Sequence, residues 1–436
     1  MMVALESFCV ADDEPAFASN NPHLYVPFNV RPFRRARIAW LNQRWLAGAG
    51  VDVGDANVLR EVADVLLTHF GVGAPHASDP DELYVDRNRT LFADRYGAPN
   101  GSAHGGSGRV GTFGRFNAKG VGRTPLVSQH TDFYHGHGCM WLEEGIRETI
   151  LAEFAHRMLP HGAVPVVAVI DAGCGIVWRG GQVGARRAVV VRPAFLRVAS
   201  FMRSIFFGNS GLLNSDQHLD ELRVRDMWTG DWGAAGVEAT LMTAFERLGE
   251  QYGAGRAMRV WPGPPFASNV TLDGSLVDFG SFRALPDWSR AQGEVPAHGF
   301  WGEGALVESA ARALERIGRR YGFALSALEV LHRFETGCVR GDSDQLSRSG
   351  IATGTPSAEE IVAARARHRT RVVGLAGNGD GETVAGLAPF RSLYRERLLS
   401  RTEHFIASLP DEDDERSARV GAFIDAELAH VAQITE

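Results

Sequence analysis

The sequence predicts an α+β protein of two lobes, a sheet-bearing first half followed by a mainly helical second half. Three observations predict it. The strand-type runs at 112–120 (TFGRFNAKG), 164–170 (VPVVAVI) and 186–192 (RRAVVVR) all precede residue 195. One long helix in that half is marked by Leu142, Ile146, Ile150, Phe154 and Met158, an unbroken i, i+4 stripe. After about residue 200 the spacing turns helical almost throughout. The expected division is therefore 1–195, an N-terminal extension plus a sheet lobe, and 196–436, a helical lobe.

Taken in order, residues 1–50 predict irregular structure. A helix is expected over 51–70, where Val58, Leu59, Val62, Val65 and Leu66 recur at helical spacing. A loop rich in Gly, Pro, Asn and Asp leads into GSGRVG. Beyond the sheet, helices are expected over 237–252, 305–321, 324–335, 359–369, 390–409 and 417–434. The exception is a β-hairpin near residue 275. The acidic run DEDDE at 411–415 reads as a solvated linker or a helix start.

Composition narrows the function classes. The chain has 436 residues, with 45 basic against 52 acidic side chains and a net charge of −7. That balance disfavours bulk nucleic-acid binding. No apolar run approaches the ~20 residues of a membrane span. The start, MMVALESFCVADDEPAF, lacks the basic region of a secretion signal. Cys9, Cys139, Cys174 and Cys338 lie far apart without a CxxC pair, so neither a disulfide framework nor a zinc ribbon is expected. A reducing cytoplasm is the expected compartment.

One basic residue differs from all the others: Lys119 is the single lysine among 45 basic side chains. A compact ammonium is a point charge that arginine's planar fork does not replace. Gly106, Gly108 and Gly111 spell GxGxxG in GSGRVG, eight residues before Lys119 at the last glycine. No helix pattern follows, so a dinucleotide fingerprint is not indicated. A glycine loop between strands, leading to a phosphate-contacting lysine, is the kinase-like alternative. Such a lysine needs a carboxylate from the next helix, which offers Glu143, Glu144, Glu148 and Glu153. From periodicity alone Glu148 reads as a surface residue. Beside Leu151, Ala152 and Ala155, however, it would need a cation if buried.

In SNVTLDGSLVDFG, Asp273-Gly274 signals a two-residue type I′ turn. Counting outward sets Asn269 directly opposite Asp278. An amide oxygen and a carboxylate on one face can share a hard cation such as Mg²⁺. Asp278 opens Asp-Phe-Gly, and Asn269 stands where a kinase has its second metal ligand. Arg192 and Arg197 flank the end of the last strand, where either could reach phosphate. A competing cluster, His130, Asp132, His135, His137 and Cys139, offers transition-metal ligands and a metal-dependent hydrolase as the least favoured reading.

These segments resemble the selenoprotein O family, kinase-fold proteins that act as protein adenylyltransferases. The likeness covers roughly residues 100–290. FNAKGVGRTPL, LEEGIRETILAEF, RRAVVVRPAFLRVASF and SNVTLDGSLVDFGSF each match a family segment, the last with the same step from Asn269 to Asp278. The resemblance implies a protein-kinase-like two-lobed fold, with a mixed sheet and one main helix in the first lobe, using ATP with Mg²⁺, or Mn²⁺ in its place. It implies AMP transfer to a protein or peptide acceptor. Gly106, Gly108, Arg109 and Lys119 would hold phosphates, with Glu148 pairing Lys119, and His137 and Gly138 would touch the nucleotide. Arg192 and Arg197 would accommodate a nucleotide bound in reverse to kinases, and Asn269 and Asp278 would hold the metal. Four features depart from the family. Ser268 replaces the Asp that acts as base, and His137 replaces the Asp of a GDG turn. The arginine pair is five apart rather than seven, and the C-terminal tail has no cysteine. Those departures leave two alternatives: an ATP-dependent tailoring enzyme that activates a carboxylate or amide of a peptide or small molecule, and an inactive nucleotide-binding pseudokinase.

Overall fold

A computed structural model describes residues 14–97, 104–128, 131–132, 136–177, 181–204, 214–232, 236–258, 260–284, 303–348 and 395–435. The first part contains β1 (Tyr25–Pro32), β2 (Arg37–Leu41), α1 (Gln43–Gly48), α2 (Ala56–Phe70), β3 (Val72–Gly73), β4 (Arg89–Asp94), β5 (Val110–Phe113), β6 (Phe116–Lys119), β7 (Met140–Trp141), α3 (Leu142–Met158), β8 (Ala168–Val177) and β9 (Val183–Pro193). Then follow α4 (Asn214–Thr229), α5 (Gly236–Met258), β10 (Val260–Trp261), β11 (Arg283–Ala284), α6 (Glu303–Arg320), α7 (Ala327–Arg348), α8 (Arg395–Ala407) and α9 (Asp413–Thr435). The expected helix at 359–369 lies outside the described residues.

The architecture is mixed α and β, built on an antiparallel sheet ordered β2-β8-β9-β6-β5-β4-β1-β3, with β7 also on β9. The mixed sheet expected for the first lobe is thus corrected to antiparallel pairing. Of residues 1–50, expected to be irregular, the described part holds β1, β2 and α1 over 25–48. Pro27 and Pro32 disguise β1, yet Phe28 and Val30 alternate inward as a half-buried strand requires. The 112–120 run is a hairpin rather than one strand. It turns at Gly114, whose φ is +51°, and pairs Val110 with Lys119.

One sheet face packs on α2 through Val58, Val62, Leu66 and Phe70. Asp55 caps that helix by accepting from the Asn57 N–H at 2.8 Å, which is why it starts at Ala56 rather than at 51. The other face packs on α3, whose core is continuous with that of the helical half. Helix α3 is buried nearly all round because the sheet lies on one side and α8 and α9 on the other. Gly145 allows the close approach, since a Cβ there would sit 3.2 Å from Val190 Cγ2.

Helix α4 escaped the sequence reading. In the second half, α5 and α7 meet backbone to backbone. Gly249 and Gly253 lie against Phe334 and Cys338, and Gly337 and Gly341 against Glu246 and Glu250. Spacing by four puts each pair on one helix face. The acidic run at 411–415 is no solvated linker, because Asp413 is buried and opens α9. Its carboxylate takes Arg35 at 2.6 Å, Arg186 at 3.3 Å and Arg37 at 3.4 Å, together with Arg416. Arg416 continues to Asp171 on β8 at 2.8 Å, and both are fully buried. Trp40 Nε1 donates to Asp425 at 2.7 Å. Helix α9 is thereby pinned along β2, at the sheet edge, and against α3. Among the described residues, no helix is long and apolar enough to cross a membrane.

Candidate active site

Lys119 ends β6, and Asn117 and Arg192 are cross-strand partners two residues away along the ladder. A period of two sets Lys119, Asn117 and Arg192 on one sheet face, the face covered by α3. Glu148 of α3 meets them there. Its Oε2 binds the Lys119 ammonium and its Oε1 binds Arg192 Nη1 at 3.1 Å. Lys119 is 4% exposed and Glu148 5%, so the sequence-only view of Glu148 as a surface residue is corrected. A carboxylate so buried is tenable because two cations share it.

The second half delivers Asp278 to the same ammonium, with Lys119 Nζ 3.6 Å from Asp278 Oδ1. Two pairings hold the hairpin there. Residues 196–198 run along its first strand, Val198 N–H donating to Val270 and Leu272 N–H to Leu196. The segment after α3 runs along its second, Leu276 N–H donating to Gly162 and Val164 N–H to Leu276.

The expected register is corrected by one residue. Val270 pairs with Leu276 rather than Val277, and Val277 N–H donates to the Asn269 carbonyl. The cause lies at the tip. Asp273 accepts from the Thr271 hydroxyl and from Ser275 N–H, while Gly274 adopts φ +85°. These contacts close a three-residue loop, Leu272 to Gly274, in place of a two-residue turn. Asp278 consequently falls just past the ladder, with φ +67°, a left-handed conformation for a non-glycine residue. Such strain costs about 1–3 kcal/mol and concentrates at functional sites. Asn269 and Asp278 still line one recess with Pro264, Pro265 and Phe266.

The Asp278 carboxyl is held well below the usual carboxylate range, first by Lys119 and then by Arg109, the Gly280 N–H and Arg192. Its side chain is 48% exposed. A half-open carboxylate beside a carboxamide is the donor set a hard divalent cation takes, so Asn269 and Asp278 fit Mg²⁺. Asn269 Oδ1 also accepts from the Ser268 hydroxyl at 3.2 Å.

The remaining candidates divide. Arg109 pairs with Glu144 of α3 at 2.7 Å. Arg197 donates to the Ser268 carbonyl at 2.6 Å, lies 3.7 Å from Asp94, and stacks between Tyr96 and Phe195. Gly106 and Gly138 are sterically required. Both have positive φ, and a Cβ would strike the Asp94 carbonyl at one and Gly122 at the other. Gly111 lies inside β5 against Leu91 and Phe28, and at both Gly111 and Gly108 the close neighbours are side chains. The sequence reading named Glu144 only as a possible partner of Lys119, not of Arg109, and missed Asp94 and Asn117. Glu144 lies one helical turn before Glu148, and Asn117 two residues before Lys119, which is signal enough for both; Asp94 carries none.

The histidine cluster does not assemble as a metal site among the described residues. His130 and His135 lie outside them, and Asp132 is exposed. His137 Nδ1 accepts from the Cys139 N–H at 2.9 Å. Burial, then Arg109 and Arg187, lower its pKa to about 4. An unfolded histidine titrates near 6.5, so between about 6.5 and 4 the unfolded chain binds the extra proton. Stability should therefore fall as pH drops through that window. His137→Asn should flatten the fall in urea midpoints measured from pH 7 to pH 4, and an unchanged slope would place the titrating group elsewhere.

No protein-family model matches the chain, and no curated protein is significantly similar to it. The resemblance to selenoprotein O therefore rests on the residues themselves.

Proposed function

We propose that the chain is a kinase-like, two-lobed nucleotidyltransferase that uses ATP with Mg²⁺ to transfer AMP to a protein or peptide acceptor. The observation that carries this reading is the Lys119 ammonium, shared between a buried glutamate from α3 and the Asp of Asp-Phe-Gly. That pairing is what a phosphate-handling kinase-like site requires.

Charge supports the cofactor. Arg109, Lys119, Arg192 and Arg197 already have Glu144, Glu148, Asp278 and Asp94 as partners. A triphosphate entering a balanced site needs a cation of its own, and Asn269 and Asp278 would hold it. When bound, Mg²⁺ would supply neutralisation of phosphate charge. Lys119 and the arginines would orient the phosphates. The acceptor oxygen bonds to the α-phosphorus as the bond to the β-phosphate bridge breaks and pyrophosphate leaves. ATP labelled at the α position should leave label on the acceptor. Transfer of γ label alone would replace the proposal with a kinase, and absence of nucleotide binding would end it.

Ser268 favours a second reading, activation of a carboxylate. A hydroxyl acceptor needs its proton removed, and Ser268 offers no carboxylate for that; its hydroxyl is engaged with Asn269. A general base contributes about 10²–10⁴-fold. Ser268→Asp should therefore raise AMP transfer to serine or tyrosine peptides, and Ser268→Ala should change little. A severe loss in Ser268→Ala would show that the serine has its own role.

A further inference from the structure

Asp94, the last residue of β4, holds two segments of the candidate site at once. Its Oδ1 accepts from the Ser107 hydroxyl, and its main-chain carbonyl accepts from the Ser107 N–H at 2.9 Å. Ser107 stands between Gly106 and Gly108, and Gly106 passes that same carbonyl too closely for a Cβ. The first turn of GSGRVG is therefore built on Asp94. The second carboxylate oxygen, Oδ2, lies 3.7 Å from Arg197 Nε.

Arg197 depends on that carboxylate for charge. The side chain is buried, and its Nε–H has no hydrogen-bond partner among the described residues. Nη1 donates to the Ser268 carbonyl at 2.6 Å, and the rings of Tyr96 and Phe195 lie 4.7 and 4.8 Å from the guanidinium carbon. A carbonyl and two rings orient the group but bring no negative charge. Among the described residues, Asp94 is the carboxylate that pairs it. Ser268 precedes Asn269, so contacts run from the glycine turn through Asp94 and Arg197 to the proposed Mg²⁺ ligands.

We infer that Asp94 is a positioning residue that fastens Arg197 to the glycine turn and restrains its charge, so that the guanidinium meets phosphate at one fixed place. The role toward phosphate rests on the nucleotide reading above; the hold on Arg197 does not. The two effects leave opposite marks. Without the carboxylate charge, Arg197 carries an uncovered positive charge beside the phosphates, which favours bound ATP. A guanidinium no longer held in place orients those phosphates worse, which slows transfer. A merely structural carboxylate would instead weaken binding and transfer together.

The test compares the full chain with Asp94→Asn, which keeps an acceptor for Ser107 but removes the charge, and with Asp94→Glu, which keeps the charge but displaces it. Affinity for ATP with Mg²⁺, read by calorimetry, should rise about three- to tenfold in Asp94→Asn, and the gain should be absent in Asp94→Glu. AMP transfer from saturating α-labelled ATP to a mixture of serine and glutamate peptides should fall about tenfold or more in both. In protein with ¹⁵N-labelled arginine, the Arg197 Nε–H is identified by its loss in Arg197→Lys. It should exchange with solvent about tenfold faster in Asp94→Asn than in the parent. Affinity and transfer falling together, with a lower urea midpoint, would reduce Asp94 to a structural residue. Unchanged affinity or unchanged exchange would show that it does not restrain Arg197. If the parent binds ATP and transfers nothing, the transferase reading falls, and affinity with exchange decides Asp94. If ATP does not bind at all, the nucleotide reading falls, and exchange decides whether Asp94 holds Arg197.

Discussion

Lys119→Met should reduce ATP-dependent transfer by about 100-fold or more, the scale of losing one preorganised charge contact in a site closed to water. Folding should suffer less. Glu148 keeps Arg192 at 3.1 Å, so the buried carboxylate is not abandoned. The loss should stay below the ~3–5 kcal/mol of a buried pair stripped of its only partner. Lys119→Arg should not restore activity, because a planar fork is wider than the ammonium now lodged between Glu148 and Asp278 at 4% exposure. Transfer assays beside urea unfolding separate the two effects. Parental activity in the arginine variant would reduce the lone lysine to an accident of composition.

The largest effect on stability is expected at the seam of α5 and α7. A Cβ added at Gly253 would overlap the Cys338 carbonyl oxygen, and one at Gly249 the carbonyl of Phe334. Backbone cannot swing aside as a side-chain end can. Gly253→Ala should cost about 3 kcal/mol or more, at the upper end of overpacking. Gly304, near the start of α6, is the control because a Cβ there meets nothing within 4 Å. Gly304→Ala should be neutral or stabilise by up to about 1 kcal/mol through helix propensity. Equal urea midpoints for the two variants would contradict the packing described for α5 and α7.

Local signals carried far in this chain. The α3 stripe, the solitary lysine and the Asp-Gly turn are short-range patterns, and each marks a part of the candidate site. What could not be read depends on contacts between distant segments. The loop at Leu272 to Gly274 took three residues because Asp273 bonds across it, and that moved Asp278 out of the ladder. Strand β1 was hidden by Pro27, which is tolerated because β3 pairs β1 only at Arg31 and Pro32. Glu148 looked like a surface residue because periodicity counts one helix face, whereas α3 is covered on both sides. The burial of Asp413 is set by arginines from β2, β9 and α9, and no local pattern reveals those.

The bond from Arg416 to Asp171 spans 245 residues of chain. At roughly 5–20 residues per second, a ribosome needs about 12–50 s to travel that distance. Throughout that interval Asp171 lacks its buried partner and β2 is an uncovered sheet edge, open to pairing with another nascent chain. Helix α3, with Glu148 on it, is likewise bare on the side that α9 will cover. The sheet that carries the candidate site is thus completed by residues that follow it by 245 positions in the chain. Synthesis leaves a window of tens of seconds in which a chaperone, or a neighbouring chain, has first access to that edge.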